Sequence, residues 1–205
     1  MFRDPRSILL AIPAVFIGII IHEYSHALTA DLLGDSTPRR YGRLTLNPLA
    51  HIDIIGLLAF VLIGFGWAKP VPVNPSNFKR PRLYDVLVSL AGPVSNFLIA
   101  LVVILIQFII NKANGGNYGT LPGIVPVLHY IAYFNIAFFF LNLLPIPPLD
   151  GYHILKSFLG PKYNNFFRIY ERYGILILLG FVFFLGTYFF GFAQLFYFNI
   201  LSLFS

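Results

Sequence analysis

Between Ile20 and Leu28 the chain reads Ile-Ile-His-Glu-Tyr-Ser-His-Ala-Leu, which places two imidazoles and a carboxylate inside an otherwise apolar stretch. His22 and His26 are four residues apart. On an α-helix both rings then fall on one face, one turn apart, where two of their nitrogens can share one metal ion. Glu23 stands beside the first of them, where a carboxylate can take a proton from an attacking water and return it to a leaving amine. An ionisable side chain at the centre of a membrane helix costs roughly 2.5 to 3.5 kcal/mol on insertion scales. Three such groups close together need a strong partner. The alternative partners are hydrogen bonds within a helix bundle for the two His and a loop Arg for Glu23. A divalent cation matches two imidazoles better. The chain has no Cys, so thiolate ligands, thiolate nucleophiles and disulfides are excluded, and a metal site must use His and carboxylate donors. One zinc ion is the expectation.

A catalytic zinc takes three protein ligands and one water. Asp150 is the best candidate for the third. It follows Asn142-Leu143-Leu144-Pro145-Ile146-Pro147-Pro148-Leu149 and precedes Gly151. The three prolines there forbid a regular helix, and unwound backbone at membrane depth is tolerated where it lines a cavity. His51, His129, His153, Asp53 and Asp85 are competing donors. The expectation leaves them outside the ligand set: His129 falls early in its run, His51 and Asp53 flank a hydrophobic segment, and His153 reads as an interfacial residue.

The elements that must carry these residues are membrane helices. The chain has 205 residues, of which 58% are apolar and only 11% charged, and its mean hydropathy is +0.77. No soluble globule has that balance. Four runs are long enough to cross a hydrocarbon layer of about 30 Å: Ile8 to Ala30, Val86 to Ile110, Ile124 to about Pro145, and Tyr173 to Phe204, with a shorter run from Ile52 to Ala68. The last of the four suits either one tilted helix or a short hairpin. Pro13 and Pro93 are expected to kink or start helices. The first run contains ionisable groups and shows no small-residue cleavage site, so it reads as a retained helix and the whole chain as the mature one. The alternation of Leu44 and Leu46 with Arg43 and Thr45 suggests a short edge strand over Tyr41 to Leu46. No internal repeat is visible, which weakens a transporter built from duplicated halves. The fold class expected is an all-α polytopic transmembrane bundle, with a re-entrant segment and at most a short β-element. It forms one membrane-embedded domain over 1–205, with a catalytic core over about 8–160 and a carboxy-terminal membrane segment over about 173–204.

His22-Glu23-x-x-His26, then Gly92-Pro93-x-x-Asn96, then Asn142 eight residues before Asp150-Gly151 together resemble the site-2 protease family of intramembrane zinc metalloproteases. The links Asn47-Pro48-Leu49-Ala50-His51-Ile52-Asp53 and Gly66-Trp67-Ala68-Lys69-Pro70-Val71-Pro72-Val73-Asn74-Pro75 are similar to those of its short prokaryotic members. The resemblance implies a zinc ion held by His22, His26 and Asp150, with Glu23 as general base and acid. It also implies that Asn142, and less clearly Asn96, contacts the substrate or stabilises an oxyanion.

If His22, His26 and Asp150 share an ion, they lie at one membrane depth. The first run and the run ending near Pro145 are then parallel, and the run carrying Gly92 to Asn96 is antiparallel between them. Ile52 to Ala68 must dip into the bilayer and return, or lie along its surface. Of the fourteen Lys and Arg residues, all but Arg3, Arg6 and Lys112 then fall on the site's side, which makes that side cytoplasmic. A full crossing by Ile52 to Ala68 would put the amino terminus inside instead. The basic balance reports orientation and lipid contact, not nucleic acid. The expected function is that of a multi-pass zinc endopeptidase of the cell membrane, which cuts a transmembrane protein or peptide substrate within or near the bilayer and releases a cytosolic fragment. The alternatives are a metal or proton transporter using the same His and Asp residues as a transit site, and a non-catalytic membrane scaffold.

Overall fold

A computed structural model describes residues 5–63, 66–115 and 123–204. Eight helices follow in order: α1 Pro5–Leu32, α2 Thr37–Arg40, α3 Pro48–His51, α4 Ile54–Ile63, α5 Pro81–Ala113, α6 Ile124–Asn142, α7 Asp150–Leu159 and α8 Asn164–Ser202. Among them α1, α5, α6 and α8 are long and apolar enough to cross a membrane. Pro13 and Pro93 both lie inside continuous helices, α1 and α5. The stretch left open between one helix and two is the single helix α8, whose 39 residues extend about 58 Å, twice the hydrocarbon thickness. Its polar first turns, with Arg168, Glu171 and Arg172, therefore reach beyond the apolar layer.

Pairwise contacts fix the direction of each span. His26 of α1 meets Val88 of α5, while Gly18, two turns earlier in α1, meets Asn96, two turns later in α5, so these two helices are antiparallel. Asn135 of α6 also meets Asn96, and Asp150, just past the end of α6, reaches His22 and His26. Helix α6 is accordingly parallel to α1. Tyr170 of α8 bonds to Pro145 and Tyr197, much later in α8, to Gln107 of α5, so α8 runs back along α6. The core of the bundle lies where α1, α5 and α6 meet. Small residues at the contacts (Ala11, Ala14, Ala100, Ala132, Ala137) are fully or almost fully buried, as close helix approach inside lipid requires.

The ten residues of α4 rise only about 15 Å, half the hydrocarbon layer. Its flanks are pinned together by an antiparallel bridge between Ile52 and Ala68 and a 2.8 Å bond from Lys69 N–H to the His51 carbonyl. The segment therefore returns to the level it left, as a re-entrant element must. A buried Arg43 holds the two limbs: its guanidinium donates to the carbonyls of Ala50 and, at 3.4 Å, Lys69. That task explains why Tyr41 to Leu46 is not the edge strand its alternation suggests. Gly42 takes a positive φ of 67°, the backbone turns, and Arg43 points inward to serve main-chain acceptors.

In this arrangement α1 ends on the site's side, α4 returns to it, α5 leaves it, α6 comes back and α8 leaves again. Cysteines placed at Arg40 and Lys112, both exposed, are expected to react with an impermeant thiol reagent from opposite faces of sealed vesicles. Labelling of both from one face would contradict the assigned spans.

Candidate metal centre

Helix α1 delivers His22 and His26 on one face, and the three ionisable groups of the motif are buried: His22 is 8% exposed, Glu23 9% and His26 7%. The rings meet edge to face at 4.6 Å between centroids, with their Nε2 atoms 3.0 Å apart. Asp150 is the first residue of α7, so its carboxylate sits at the positive end of that helix. The chain reaches it by a proline turn whose Pro145 carbonyl accepts a 2.9 Å bond from Tyr170 of α8. Gly151 follows because nothing larger fits: a Cβ there would come within 2.3 Å of the Leu143 carbonyl oxygen. Asp150 then places Oδ2 3.1 Å from His22 Nε2 and Oδ1 3.3 Å from His26 Nε2. Among the described residues, these three form the one group of His and acidic side chains able to hold a metal ion, with ligand atoms all within 4.8 Å of one another.

The opposite ring nitrogens show which atoms would face an ion held there. His26 Nδ1 lies 2.7 Å from the Val88 carbonyl, which can only accept, so the ring proton is on Nδ1. His22 Nδ1 lies 2.7 Å from Asn96 Oδ1, again an acceptor. Each Nε2 therefore turns a lone pair inward, toward the other and toward the carboxylate. Asp150 Oδ2 is buried with no hydrogen-bond partner among the described residues. Lone pairs converging in a site nearly closed to water repel one another unless a cation joins them. The donor set of two imidazoles and a carboxylate fits a divalent metal and, with one position left open, fits a catalytic zinc. Outer hydrogen bonds from Nδ1 to a carbonyl are the usual means of fixing a metal-binding His.

Gly92 completes the cradle. A Cβ at this position would lie 2.4 Å from His26 Nε2 and 2.6 Å from His22 Nε2, inside the space the ligand atoms need. Glu23 makes no hydrogen bond or ion pair with the described side chains, so its carboxylate is available beside the ligands. The competing donors are engaged elsewhere. His51 Nε2 is 2.7 Å from the Thr45 carbonyl at the base of the re-entrant segment. Asp53 accepts a 2.8 Å bond from the Gly56 N–H, Asp85 accepts from Ser157 of α7, and His153 lies against Tyr152. His129 sits among Tyr133, Tyr197 and Phe198, towards the other end of the bundle.

Asn96 is fully buried behind His22, and both of its N–H groups are taken, by the Gly18 carbonyl at 3.0 Å and Asn135 Oδ1 at 2.9 Å. No donor remains on it for a substrate. Asn142 gives one N–H to the Phe138 carbonyl of its own helix at 3.0 Å, and the rest of its amide makes no hydrogen bond among the described residues. Val88 and Asn135 were not anticipated from the sequence. A main-chain acceptor leaves no trace in residue type, whereas Asn135 shows as an amide in the middle of an apolar run.

Comparison with known proteins agrees with this geometry. The family model described as peptidase family M50 matches residues 116–183. The chain is 38% identical over 176 residues to "Putative zinc metalloprotease YwhC" of Bacillus subtilis, covering 85% of this chain and 80% of that one. It is 29% identical over 177 residues to "Putative zinc metalloprotease Rip2" of Mycolicibacterium smegmatis, covering 83% of this chain and 65% of that one. With "Zinc metalloprotease MJ0392" of Methanocaldococcus jannaschii it shares 25% identity over 151 residues, 73% of this chain and 34% of that protein. This chain thus spans less than two thirds of the length of the latter two relatives. No solved structure matches it significantly.

Gly92→Ala is expected to abolish stoichiometric metal binding in a folded protein, measured as metal content after gel filtration. Ala favours a helix over Gly by about 1 kcal/mol, so a weakened helix would not account for the loss. Metal content equal to wild type would show that the cradle does not need the missing side chain.

Proposed function

We infer the roles of individual residues from the premise that the chain belongs to peptidase family M50 and is an intramembrane zinc metalloprotease. In our reading His22, His26 and Asp150 hold one zinc ion and Glu23 is the general base and acid. The observation that carries it is the convergence of three ligand atoms within 4.8 Å beside the buried carboxylate of Glu23. Zinc bound there supplies Lewis-acid polarisation of a carbonyl and brings the pKa of water down to about 7. Glu23 accepts the proton of the attacking water as its oxygen bonds to the peptide carbon. The same carboxyl then gives that proton to the nitrogen as the carbon–nitrogen bond breaks. Helices α1, α5 and α6 limit access of bulk water around these steps. The amide of Asn142, with one N–H and its oxygen uncommitted among the described residues, is the group we assign to the substrate backbone or the developing oxyanion. Asn96 takes no such part, because its donors are spent on the bundle.

The substrate we propose is a transmembrane protein or peptide. Supporting this, an apolar cleft opens between the re-entrant segment and helices α1 and α6, walled by Phe16, Ile19, Phe60, Trp67, Phe138 and Leu141. A substrate helix must partly unwind to present a carbonyl to the site. We place the protein in the cell membrane with the site toward the cytoplasm, since eleven of the fourteen Lys and Arg residues fall on that side and basic loops stay inside. The fragment released is then cytosolic. A transit site for ions would need further ionisable groups along the spans. The described residues form no second ligand cluster.

Glu23→Gln is expected to keep zinc and to lose cleavage of a membrane-anchored substrate panel by at least about a hundredfold, the lower end of what a general base contributes. His22→Ala and Asp150→Ala should lose both zinc and cleavage. Cleavage by Glu23→Gln at the wild-type rate would remove Glu23 from the mechanism.

A further inference from the structure

Asn135 lies fully buried in the middle of α6, and the reaction described above gives it no task. Its amide can be read atom by atom, because a backbone carbonyl only accepts. The end of Asn135 that lies 2.8 Å from the Ile131 carbonyl is therefore its nitrogen. The other end is Oδ1, which accepts from Asn96 Nδ2 at 2.9 Å. Asn96 Nδ2 also donates to the Gly18 carbonyl at 3.0 Å, so Asn96 turns its oxygen to His22 Nδ1. An acceptor at that nitrogen holds the ring proton on Nδ1 and leaves Nε2 with a lone pair for the metal.

The two imidazoles differ in how they are held. His26 faces a main-chain carbonyl, that of Val88, which cannot turn over. His22 faces a side-chain amide, which can rotate to present a donor instead and so reverse the tautomer. In the rotated form the Asn96 oxygen would face two other oxygens, those of Gly18 and Asn135. Two acceptors from two different helices thus guard the orientation on which His22 depends, and every donor in the chain from His22 outward ends on an oxygen.

We propose that Asn135 is a positioning residue of the metal site: through Asn96 it keeps His22 in the tautomer and orientation that present Nε2 to the ion. The inference rests on the reading of His22 as a ligand. Outer partners of metal-binding His residues typically change metal affinity by about 10–100-fold. Asn135 acts one residue further out, with Gly18 still in place, so the lower end applies.

The test uses the full-length protein in detergent, with zinc affinity measured by chelator competition and the His tautomers read by nitrogen NMR on imidazole-labelled protein. Asn135→Leu should weaken zinc binding by about tenfold and convert the single Nδ1–H signal of His22 into a mixture of tautomers. Asn135→Asp, which as a neutral acid keeps both the donor to Ile131 and the acceptor to Asn96, should retain wild-type affinity and a single tautomer. If Asn135→Leu does not fold, Asn135→Ala removes the same oxygen without added bulk and carries the same expectation. Unchanged affinity and an unchanged tautomer in the variant lacking the oxygen would overturn the proposal. Wild-type protein that binds no zinc, or binds it equally well after His26→Ala, would instead overturn the underlying reading of the site.

Discussion

The lone pairs of two imidazole nitrogens and a carboxylate meet in one small volume, at 3.0 to 3.3 Å from each other, and only a positive charge makes that arrangement favourable. Much else in the bundle follows from this constraint. Helix α1 must be continuous through residues 22 to 26 so that the two rings share a face. Helix α6 must end before Asp150, because a helix continuing through that position could not swing the carboxylate back toward α1. Helix α5 must pass close enough to touch both rings, and it can do so only where it has no side chain, at Gly92.

The outer contacts follow the same logic. Val88 and Asn96 are two turns apart on α5, and each accepts the Nδ1 proton of one His. One helix therefore fixes both rings, and the sequence spacing Gly92-Pro93-x-x-Asn96 has a physical meaning: a gap for the ligands, then an amide one turn on. The amide is in turn tied to α1 through Gly18 and to α6 through Asn135. The three helices that carry or flank the ligands are thus joined by hydrogen bonds at the depth of the site. Fixed polar contacts of this kind give a membrane bundle a unique register, which packing of lipid-like side chains against one another does not supply by itself.

Much of this could be read from residue types. His22, Glu23 and His26 announced themselves by being ionisable inside an apolar run, and Asp150 by closing a proline-broken stretch after another. The directions of α1, α5 and α6 followed from requiring one depth for all the ligands, and the return of the 52–68 segment followed from the same requirement. What was not legible depended on atoms that residue type does not reveal. The Val88 carbonyl is one. The inward turn of Arg43 is another: its alternating neighbours read as a strand, yet an Arg that can satisfy main-chain carbonyls at the foot of a re-entrant segment is worth more there than an edge strand. Asn96 carried a motif but its task could not be known until its donors were counted. The choice between one helix and two for the last segment also lay outside the sequence, since glycines such as Gly186 and Gly191 permit a turn without requiring one.

The most direct measurement of the central claim is X-ray absorption at the zinc edge on purified protein, combined with metal stoichiometry. The account predicts one zinc per chain, a first coordination sphere of nitrogen and oxygen at about 2.0–2.1 Å, and the multiple-scattering pattern of two imidazoles. In Asp150→Ala the bound zinc should be lost. Zinc bound without imidazole scattering, or an identical spectrum in Asp150→Ala, would contradict the convergence of His22, His26 and Asp150 on one ion.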